Sequence, residues 1–196
     1  MYNATGEHPQ PFPDAREHLI STADQIHGAA VLETNRLALR QFTLDDAALM
    51  LAVLSDPDFI RYVGDRGVRT LDAARAYLSN RVTPSYAQNG FGMYVVARRS
   101  DGEMVGICGL VKRPGLADVD IGYAILPAHR GQGYARESAS AVLDLAHGTF
   151  GLERVVAIVN PDNAESIRLL EDLGMIREGT VRLTPDAPEL VLYAHS

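Results

Sequence analysis

Six consecutive residues, from Arg130 to Ala135, carry the pattern that is most informative about chemistry. They read Arg-Gly-Gln-Gly-Tyr-Ala, with glycines at positions 131 and 133. A predicted strand precedes them and a predicted helix follows, so they form the turn that opens a helix. A helix start presents unpaired backbone N–H groups and a partial positive charge, and glycine lets a ligand approach the backbone closely. The segment therefore predicts a phosphate-binding loop.

Three known phosphate loops can be compared with this segment. A Walker loop ends in Gly-Lys-Ser/Thr, whereas this chain has Gly133-Tyr134-Ala135. The dinucleotide fingerprint GxGxxG would need its third glycine at Arg136, so that reading fails. The pattern Arg/Gln-x-x-Gly-x-Gly/Ala is matched in full by Arg130, Gly133 and Ala135. Taken alone, the hexapeptide is explained equally well by an ordinary glycine turn before a helix, so its surroundings must decide.

The elements around the loop are predicted from hydrophobic periodicity and from turn residues. Strands are predicted at 36–40, 91–99, 104–112, 118–126, 153–159, 176–183 and 190–195. Helices are predicted at 44–54, 71–81, 134–147 and 164–173. Thr43 and Thr70 are the expected N-caps, and Asp56-Pro57 is expected to close the first helix. The order indicates an α/β fold with a mixed sheet and helices on both faces.

Length and composition limit the possible classes of protein. The 196 residues fit one domain at 31–196, preceded by an extension at 1–30 that is partly disordered or helical, with a short helix at about 15–26. No membrane span and no secretory signal are recognised, so a cytoplasmic protein is expected. The net charge of −7 disfavours general nucleic-acid binding and favours cationic partners such as amines. The single cysteine, Cys108, lies in an apolar run and is predicted to be a core residue; no metal site is expected.

The loop resembles the pyrophosphate loop of the GNAT superfamily of N-acetyltransferases. In that family the next strand leads to Asn-x-x-Ser/Ala at the start of a second helix, and Asn163 and Ser166 occupy the matching positions. The family's closing Gly-Phe/Met is matched by Gly174-Met175. These separated matches favour the family over a chance glycine turn.

Further segments resemble the RimJ/RimL-like subgroup, which includes enzymes that acetylate the N-termini of ribosomal proteins. They are Thr34-x-Arg36-Leu37-x-Leu39-Arg40 with Asp46-Ala47, Asp120-Ile121-Gly122-Tyr123, and Glu137. The resemblance covers about residues 31–196. It implies a GNAT fold, in which a mixed, mostly antiparallel sheet splays between its fourth and fifth strands. It also implies acetyl-CoA as cofactor and an amine as acceptor, either a protein N-terminus or a small molecule, and it leaves open a monomer or a homodimer.

The resemblance also implies which residues hold the cofactor. The N–H of Ile125 is expected to polarise the thioester carbonyl, at the splayed edge of the fourth predicted strand. The full implied set is Tyr123, Ile125, Leu126, Arg130, Gly131, Gln132, Gly133, Tyr134, Ala135, Asn163 and Ser166.

The catalytic acid and base are less clearly marked. Many GNAT enzymes place a tyrosine that acts as general acid on the last helix. The matching position here is Leu170, which cannot donate a proton. Ser166 is the candidate acid, although it can equally bind the cofactor or the first helical turn. Asp120 is the candidate base, although it can equally be a solvated acid at a strand end, and water can accept the proton instead.

Other polar residues and other functions stay open at this stage. His129 beside the loop is expected to be a surface residue, and Tyr123 can pack or line an acceptor pocket. Several arginines can form a basic face near the acceptor entrance or an ordinary solvated face: residues 61, 66, 69, 75 and 81. The alternative function is a noncatalytic acyl-CoA-binding module, which the missing tyrosine favours.

Overall fold

The computed structural model describes residues 30–196. The predicted extension, including its short helix at 15–26, therefore lies outside the described residues apart from Ala30. That residue begins a strand, β1 (Ala30–Glu33), and pairs with Arg40. Sequence periodicity missed β1 because the segment is only four residues long.

The remaining strands agree with prediction to within about three residues at each end. They are β2 (Leu37–Gln41), β3 (Met93–Arg98), β4 (Met104–Val111), β5 (Val119–Ile125), β6 (Val155–Val159), β7 (Ile176–Val181) and β8 (Leu190–His195). Within residues 30–196 they form one sheet in the order β1-β2-β3-β4-β5-β6-β8-β7. Every neighbouring pair is antiparallel except β5 and β6, which run parallel.

The parallel pair is where the sheet opens. Pairing between β5 and β6 is limited to Val119 with Val155 and Asp120 with Val156, and beyond these residues the strands diverge. These are the fourth and fifth predicted strands, so the predicted splay is confirmed. The gap exposes backbone groups of β5 that an unbroken sheet would have paired.

Helices cover both faces of the sheet, as predicted. They are α1 (Ala47–Leu54), α2 (Pro57–Tyr62), α3 (Leu71–Tyr77), α4 (Pro84–Asn89), α5 (Tyr134–Gly148) and α6 (Ala164–Asp172). Side chains alternate along a strand, so Tyr94 and Val96 pack on the face that carries α5, while Val95 packs on the face that carries α1 and α3. No helix between residues 30 and 196 is long and apolar enough to cross a membrane.

The predicted end of the first helix is confirmed, and the end of the second needs correction. Asp56-Pro57 does follow the end of α1, but it also starts α2, because the Asp56 side chain accepts from the Asp58 N–H and Pro57 suits a first helical position. The helix capped by Thr70 ends at Tyr77 and continues as a π-type turn, Leu78–Val82. The short helix α4 was missed by the sequence pattern.

A buried ion pair fixes α1 to the sheet. Arg40 on β2 donates two hydrogen bonds to Asp46, at 2.8 and 2.7 Å, and the two side chains are 4% and 6% exposed. Burial alone would raise the pKa of Asp46, but hydrogen bonds from Arg40 and Thr43 hold it below its usual value. The pair therefore stabilises the fold at neutral pH, and this contribution is lost as the pH falls through the lowered pKa.

Candidate active site

The predicted phosphate loop has the backbone geometry that its glycines allow. Gly131 and Gly133 adopt φ angles of +72° and +80°, in the left-handed region, and Gly133 is the N-cap of α5. A Cβ at Gly133 would also come within 3.3 Å of the Arg36 guanidinium. The first N–H groups of α5 have no partners within the helix and are free to bind an anion.

The turn between β1 and β2 braces this loop. Glu137, in the first turn of α5, accepts hydrogen bonds from the Thr34 hydroxyl at 2.6 Å and from the Arg36 guanidinium at 2.7 Å. Arg36 also donates to the Gln132 carbonyl at 3.0 Å, and its guanidinium lies 4.9 Å from the centre of the Tyr134 ring. These contacts tie together segments that are far apart in the sequence and hold the loop in one position.

Arg130 is held by acidic residues of α2 and its N-cap. Its guanidinium pairs with Asp56 and, at 2.5 Å, with Asp58, and it donates to the Ile125 carbonyl at 3.1 Å. The sequence marks Arg130 as a cofactor-binding residue, but its charge is neutralised by these carboxylates. In this arrangement Arg130 connects α2, β5 and the loop.

The register of β4 and β5 determines where the free backbone groups of β5 point. Gly106 of β4 lies opposite Ile125, and one residue further along the Leu126 N–H donates to the Val105 carbonyl at 2.9 Å. This makes Ile125 a non-hydrogen-bonded residue of the ladder, so its N–H and C=O point away from β4 and into the gap beside β6. Tyr123, two residues earlier, has the same orientation. The Ile125 N–H therefore faces the gap, and its role toward a thioester carbonyl stays a prediction.

Leu126 itself does not face the gap. Its N–H is bonded to Val105, its carbonyl accepts from the His129 N–H at 2.9 Å, and its side chain packs toward the α1 and α3 face. The prediction that Leu126 lines the cofactor site is therefore not supported by the geometry. The strand ends at Ile125, one residue earlier than the sequence pattern suggested.

A groove of about 510 Å³ runs along the loop, the end of β5 and the start of α6; we call it the loop groove. From the predicted cofactor-binding set it is lined by Tyr123, Ile125, Arg130, Gly131, Gly133, Tyr134, Ala135, Asn163 and Ser166. Gln132 does not line it, because its carbonyl is bonded to Arg36 and its amide lies 3.5 Å from the Ala128 carbonyl oxygen. Arg136, which belongs to none of the matched motifs, does line it from the first turn of α5.

A second cleft, of about 460 Å³, lies along β5 from Asp120 to Ala124; we call it the β5 cleft. It is bounded by residues of α2, of the π-type turn after α3, and of the segment between β7 and β8. The loop groove and the β5 cleft share part of their lining, including Tyr123, Ala124, Asn163 and Ser166. The two spaces therefore meet where the sheet splays.

A pair of hydroxyl groups marks this junction. The Tyr123 and Ser166 side-chain oxygens are 2.7 Å apart, and either can donate. Asn163 caps α6 by accepting from the Ser166 N–H at 3.1 Å, which fixes the serine in the first helical turn. Burial raises the pKa of Tyr123 to about 12, although its hydrogen bond with Ser166 acts in the opposite direction. Leu170, one turn further along α6, is buried in the core.

Asp120 is not a solvated acid at a strand end. It is 1% exposed, pairs with Arg113, and accepts from the Ile158 N–H at 3.2 Å. Burial raises the pKa of Asp120 above its ordinary value, while Arg113 and the Ile158 N–H act to lower it. Because β5 and β6 stop pairing at Asp120 and Val156, the Asp120 carboxylate satisfies a strand N–H that the splay would leave unpaired.

Of the two other residues considered from the sequence, His129 lines the loop groove and Cys108 lines neither space. His129 lies 3.4 Å from Glu103, with a side chain that is 12% exposed. Cys108 is fully buried in the core, and burial raises the pKa of its thiol to about 12. The Cys108 thiol is therefore protonated at neutral pH and inaccessible to a substrate.

The site fits acetyl-CoA on its own geometry. The left-handed glycines and free N–H groups at the start of α5, together with the exposed Arg136, suit a pyrophosphate. The edge of β5 that faces away from β4 offers the N–H and C=O groups of Tyr123 and the N–H of Ile125 to an amide-containing arm in an extended conformation, while the Ile125 C=O accepts from Arg130. The junction then receives the end of that arm.

Comparison with known proteins places the chain in a family. The acetyltransferase (GNAT) domain model matches residues 36–176. The chain is 33% identical over 155 residues to the uncharacterized N-acetyltransferase YoaA of Bacillus subtilis, covering 78% of this chain and 86% of that protein.

Solved structures agree with this placement. An acetyltransferase from Agrobacterium tumefaciens superposes with a TM-score of 0.72 at 25% identity, covering 84% of this chain and 93% of the other. RimJ of Mycobacterium smegmatis, in complex with CoA-disulfide, superposes with a TM-score of 0.68 at 22% identity over 81% of each chain, a likeness that shows the fold alone. The chain therefore belongs to the GNAT family of acetyltransferases and is an acetyl-transferring enzyme that uses acetyl-CoA.

Proposed function

We propose that this enzyme is an N-acetyltransferase of the RimJ/RimL-like kind that transfers acetyl directly from acetyl-CoA to an amine. The amine is either the α-amine of a protein N-terminus or an amine of a small molecule. Direct transfer is favoured over an acetyl-enzyme because Cys108, the single thiol of the chain, is fully buried in the core. Both substrates must then be bound together before the reaction.

The observation that carries the proposal is the junction of the two spaces. The loop groove has the features of a cofactor site, and the β5 cleft meets it at Tyr123, Ala124, Asn163 and Ser166. An amine entering through the β5 cleft would reach the end of an arm lying along β5. Such an arrangement supplies proximity and orientation, which account for a large part of the rate in bimolecular reactions.

The roles of the residues follow from where they lie. When bound, acetyl-CoA supplies the acetyl group as a thioester. The Ile125 N–H points into the gap and can donate to an oxygen held there, as an oxyanion-hole donor does. The Ser166 hydroxyl can release a proton at the junction, because the protonated Tyr123 hydroxyl can donate to it in turn.

The proposed function is tested by measuring turnover with a panel of amines, with CoA release as the readout. We expect saturable turnover and intersecting initial-velocity patterns, which indicate a complex of enzyme with both substrates. Parallel patterns would indicate an acetyl-enzyme and contradict direct transfer. Tight acetyl-CoA binding without CoA release across N-terminal peptides and small amines would instead support the noncatalytic acyl-CoA-binding module.

Replacing Ser166 with alanine separates binding from proton donation. We expect Ser166→Ala to raise KM for acetyl-CoA by roughly three- to tenfold with a smaller fall in kcat, because a ground-state contact is lost. A lost proton donor would instead lower kcat and kcat/KM together, by roughly ten- to a thousandfold. Steady-state kinetics at saturating acceptor measure both parameters.

Tyr123→Phe is the matched variant, since it removes only the hydroxyl that contacts Ser166. If the two hydroxyls act as a pair, the double variant should lower kcat/KM little more than Ser166→Ala alone does. Wild-type values of kcat and KM in Ser166→Ala would exclude both roles for the serine and leave water to protonate the thiolate.

A further inference from the structure

Arginines without carboxylate partners concentrate at the two binding spaces. Most arginines among residues 30–196 pair with a carboxylate, including exposed ones such as Arg69 and Arg75. Those that lack such a pair within this part of the chain are Arg61, Arg66, Arg81, Arg136, Arg168 and Arg177. Arg136 lines the loop groove, where phosphates are expected, and the first three line the β5 cleft.

The three cleft arginines, Arg61, Arg66 and Arg81, form what we call the arginine wall. The Arg61 guanidinium lies 4.9 Å from the centre of the Tyr62 ring, and Arg66 donates to the Val63 carbonyl at 3.4 Å. Tyr62 and Val63 line both spaces, so the groups that these two guanidinium groups contact belong to the shared lining. Arg81 belongs to the π-type turn after α3 and lines the same cleft.

No negative charge in the described cleft lining is available to balance this wall. Asp120 is the single carboxylate that lines the β5 cleft among residues 30–196, and it is buried against Arg113. The local charge is thus opposite to the net charge of −7 of the whole chain. A cleft with unpaired guanidinium groups attracts anions and repels molecules that carry several ammonium groups.

We propose that the acceptor is a small amine that also carries a carboxylate or phosphate group, which the arginine wall binds while the amine reaches the junction. This inference rests on the proposed amine acetyltransferase activity and narrows its substrate class. A volume of about 460 Å³ suits a small molecule. Positive potential in the cleft also lowers the pKa of a bound ammonium group, which favours the neutral amine that can attack.

The test uses acceptors in matched pairs that differ only in the anionic group. β-Alanine is compared with β-alaninamide, and O-phosphoethanolamine with ethanolamine, with spermidine and an acidic N-terminal peptide alongside. We expect kcat/KM for the acidic member of at least one pair to exceed that of its neutral partner by roughly tenfold or more, as for one lost charged contact. The pair that shows the larger ratio distinguishes carboxylate from phosphate.

Variants show whether the preference comes from the arginine wall. In Arg61→Gln/Arg66→Gln/Arg81→Gln the ratio should fall toward one, while the affinity for acetyl-CoA remains at the wild-type value. Arg177→Gln is the matched control, because Arg177 also lacks a carboxylate partner within residues 30–196 but lines neither space. It should keep the wild-type ratio.

A binding measurement separates failure of this inference from failure of the proposed activity. Calorimetry with CoA present compares N-acetyl-β-alanine and N-acetyl-β-alaninamide, and likewise the N-acetyl forms of the phosphate pair, in the wild type and the triple variant. Tighter, arginine-dependent binding of an acid without any turnover would uphold the anion site and overturn the transferase. Turnover with equal or better use of neutral amines, of spermidine or of the peptide would overturn the anion-bearing small acceptor alone.

Discussion

Gly133→Asp should abolish useful binding of acetyl-CoA while leaving a folded protein. Gly133 is the N-cap of α5 at φ +80°, and its neighbours Gly131 and Arg136 line the same groove. A carboxylate there would lie against the expected pyrophosphate. At about 4 Å and an effective dielectric constant of about 20, like charges repel by about 4 kcal/mol, which is roughly a thousandfold in affinity. Isothermal calorimetry measures this loss directly.

The control must reproduce the strain and the added charge outside the groove. Gly151→Asp does so, because Gly151 has φ +63°, an open Cβ position and no place in the groove lining. A side chain in the left-handed region costs about 1–2 kcal/mol in both variants. Gly133→Asp also places its Cβ 3.3 Å from the Arg36 guanidinium, so it should lose at least as much stability as the control. Wild-type affinity in a folded Gly133→Asp protein would show that the loop does not hold the cofactor.

The parts of the fold that the sequence predicted are those governed by local pattern. The apolar, mostly β-branched run Val155–Val159 does form a strand. Thr70 does cap α3, accepting from the Ala73 N–H at 3.1 Å. The two short helices that were missed, α2 and α4, begin where another helical segment has just ended. Asp56-Pro57 both follows one helix and begins the next, and Pro84 begins α4 directly after the π-type turn.

The arrangement of the site depends on contacts that no local pattern contains. Arg130 matches the family motif, yet its partners Asp58 and Asp56 are 72 and 74 residues away in the chain. Ser166 and Tyr123 are separated by 43 residues, so their pairing appears only when β5 and α6 are placed together. The arginine wall depends even more on three-dimensional contacts, because the sequence does not show which arginines lack carboxylate partners.

Asp120→Ala should destabilise the protein by about 2–4 kcal/mol, because it leaves the Ile158 N–H without an acceptor and Arg113 without its partner. Asp120→Asn keeps an oxygen that can accept from Ile158 and retains the volume of the side chain. We therefore expect it to lose far less, about 1 kcal/mol or less. Denaturant unfolding of both variants measures the difference.

The pH dependence of stability gives a second check on this residue. Since burial raises the pKa of Asp120 in the folded state, the folded chain takes up this proton more readily than the unfolded chain does. The group therefore contributes stability at low pH, and that contribution is lost as the pH rises through the folded pKa. Relative to Asp120→Asn, the wild type should gain stability on acidification. If the difference in unfolding free energy between wild type and Asp120→Asn is the same at acidic and neutral pH, that result contradicts the raised pKa.

The same two variants decide whether Asp120 removes the proton of the amine or holds the splayed strands. A general base lost in Asp120→Asn would lower kcat by roughly 10²–10⁴ and abolish the acidic limb of the pH–rate profile. We expect instead that Asp120→Asn keeps kcat within about tenfold and keeps that limb, because the carboxylate is 1% exposed and both of its oxygens are already bonded, one to Arg113 and one to the Ile158 N–H. Asp120→Ala should then lose activity in step with its folded fraction. A large fall in kcat in a fully folded Asp120→Asn enzyme would reverse this assignment and make Asp120 the base.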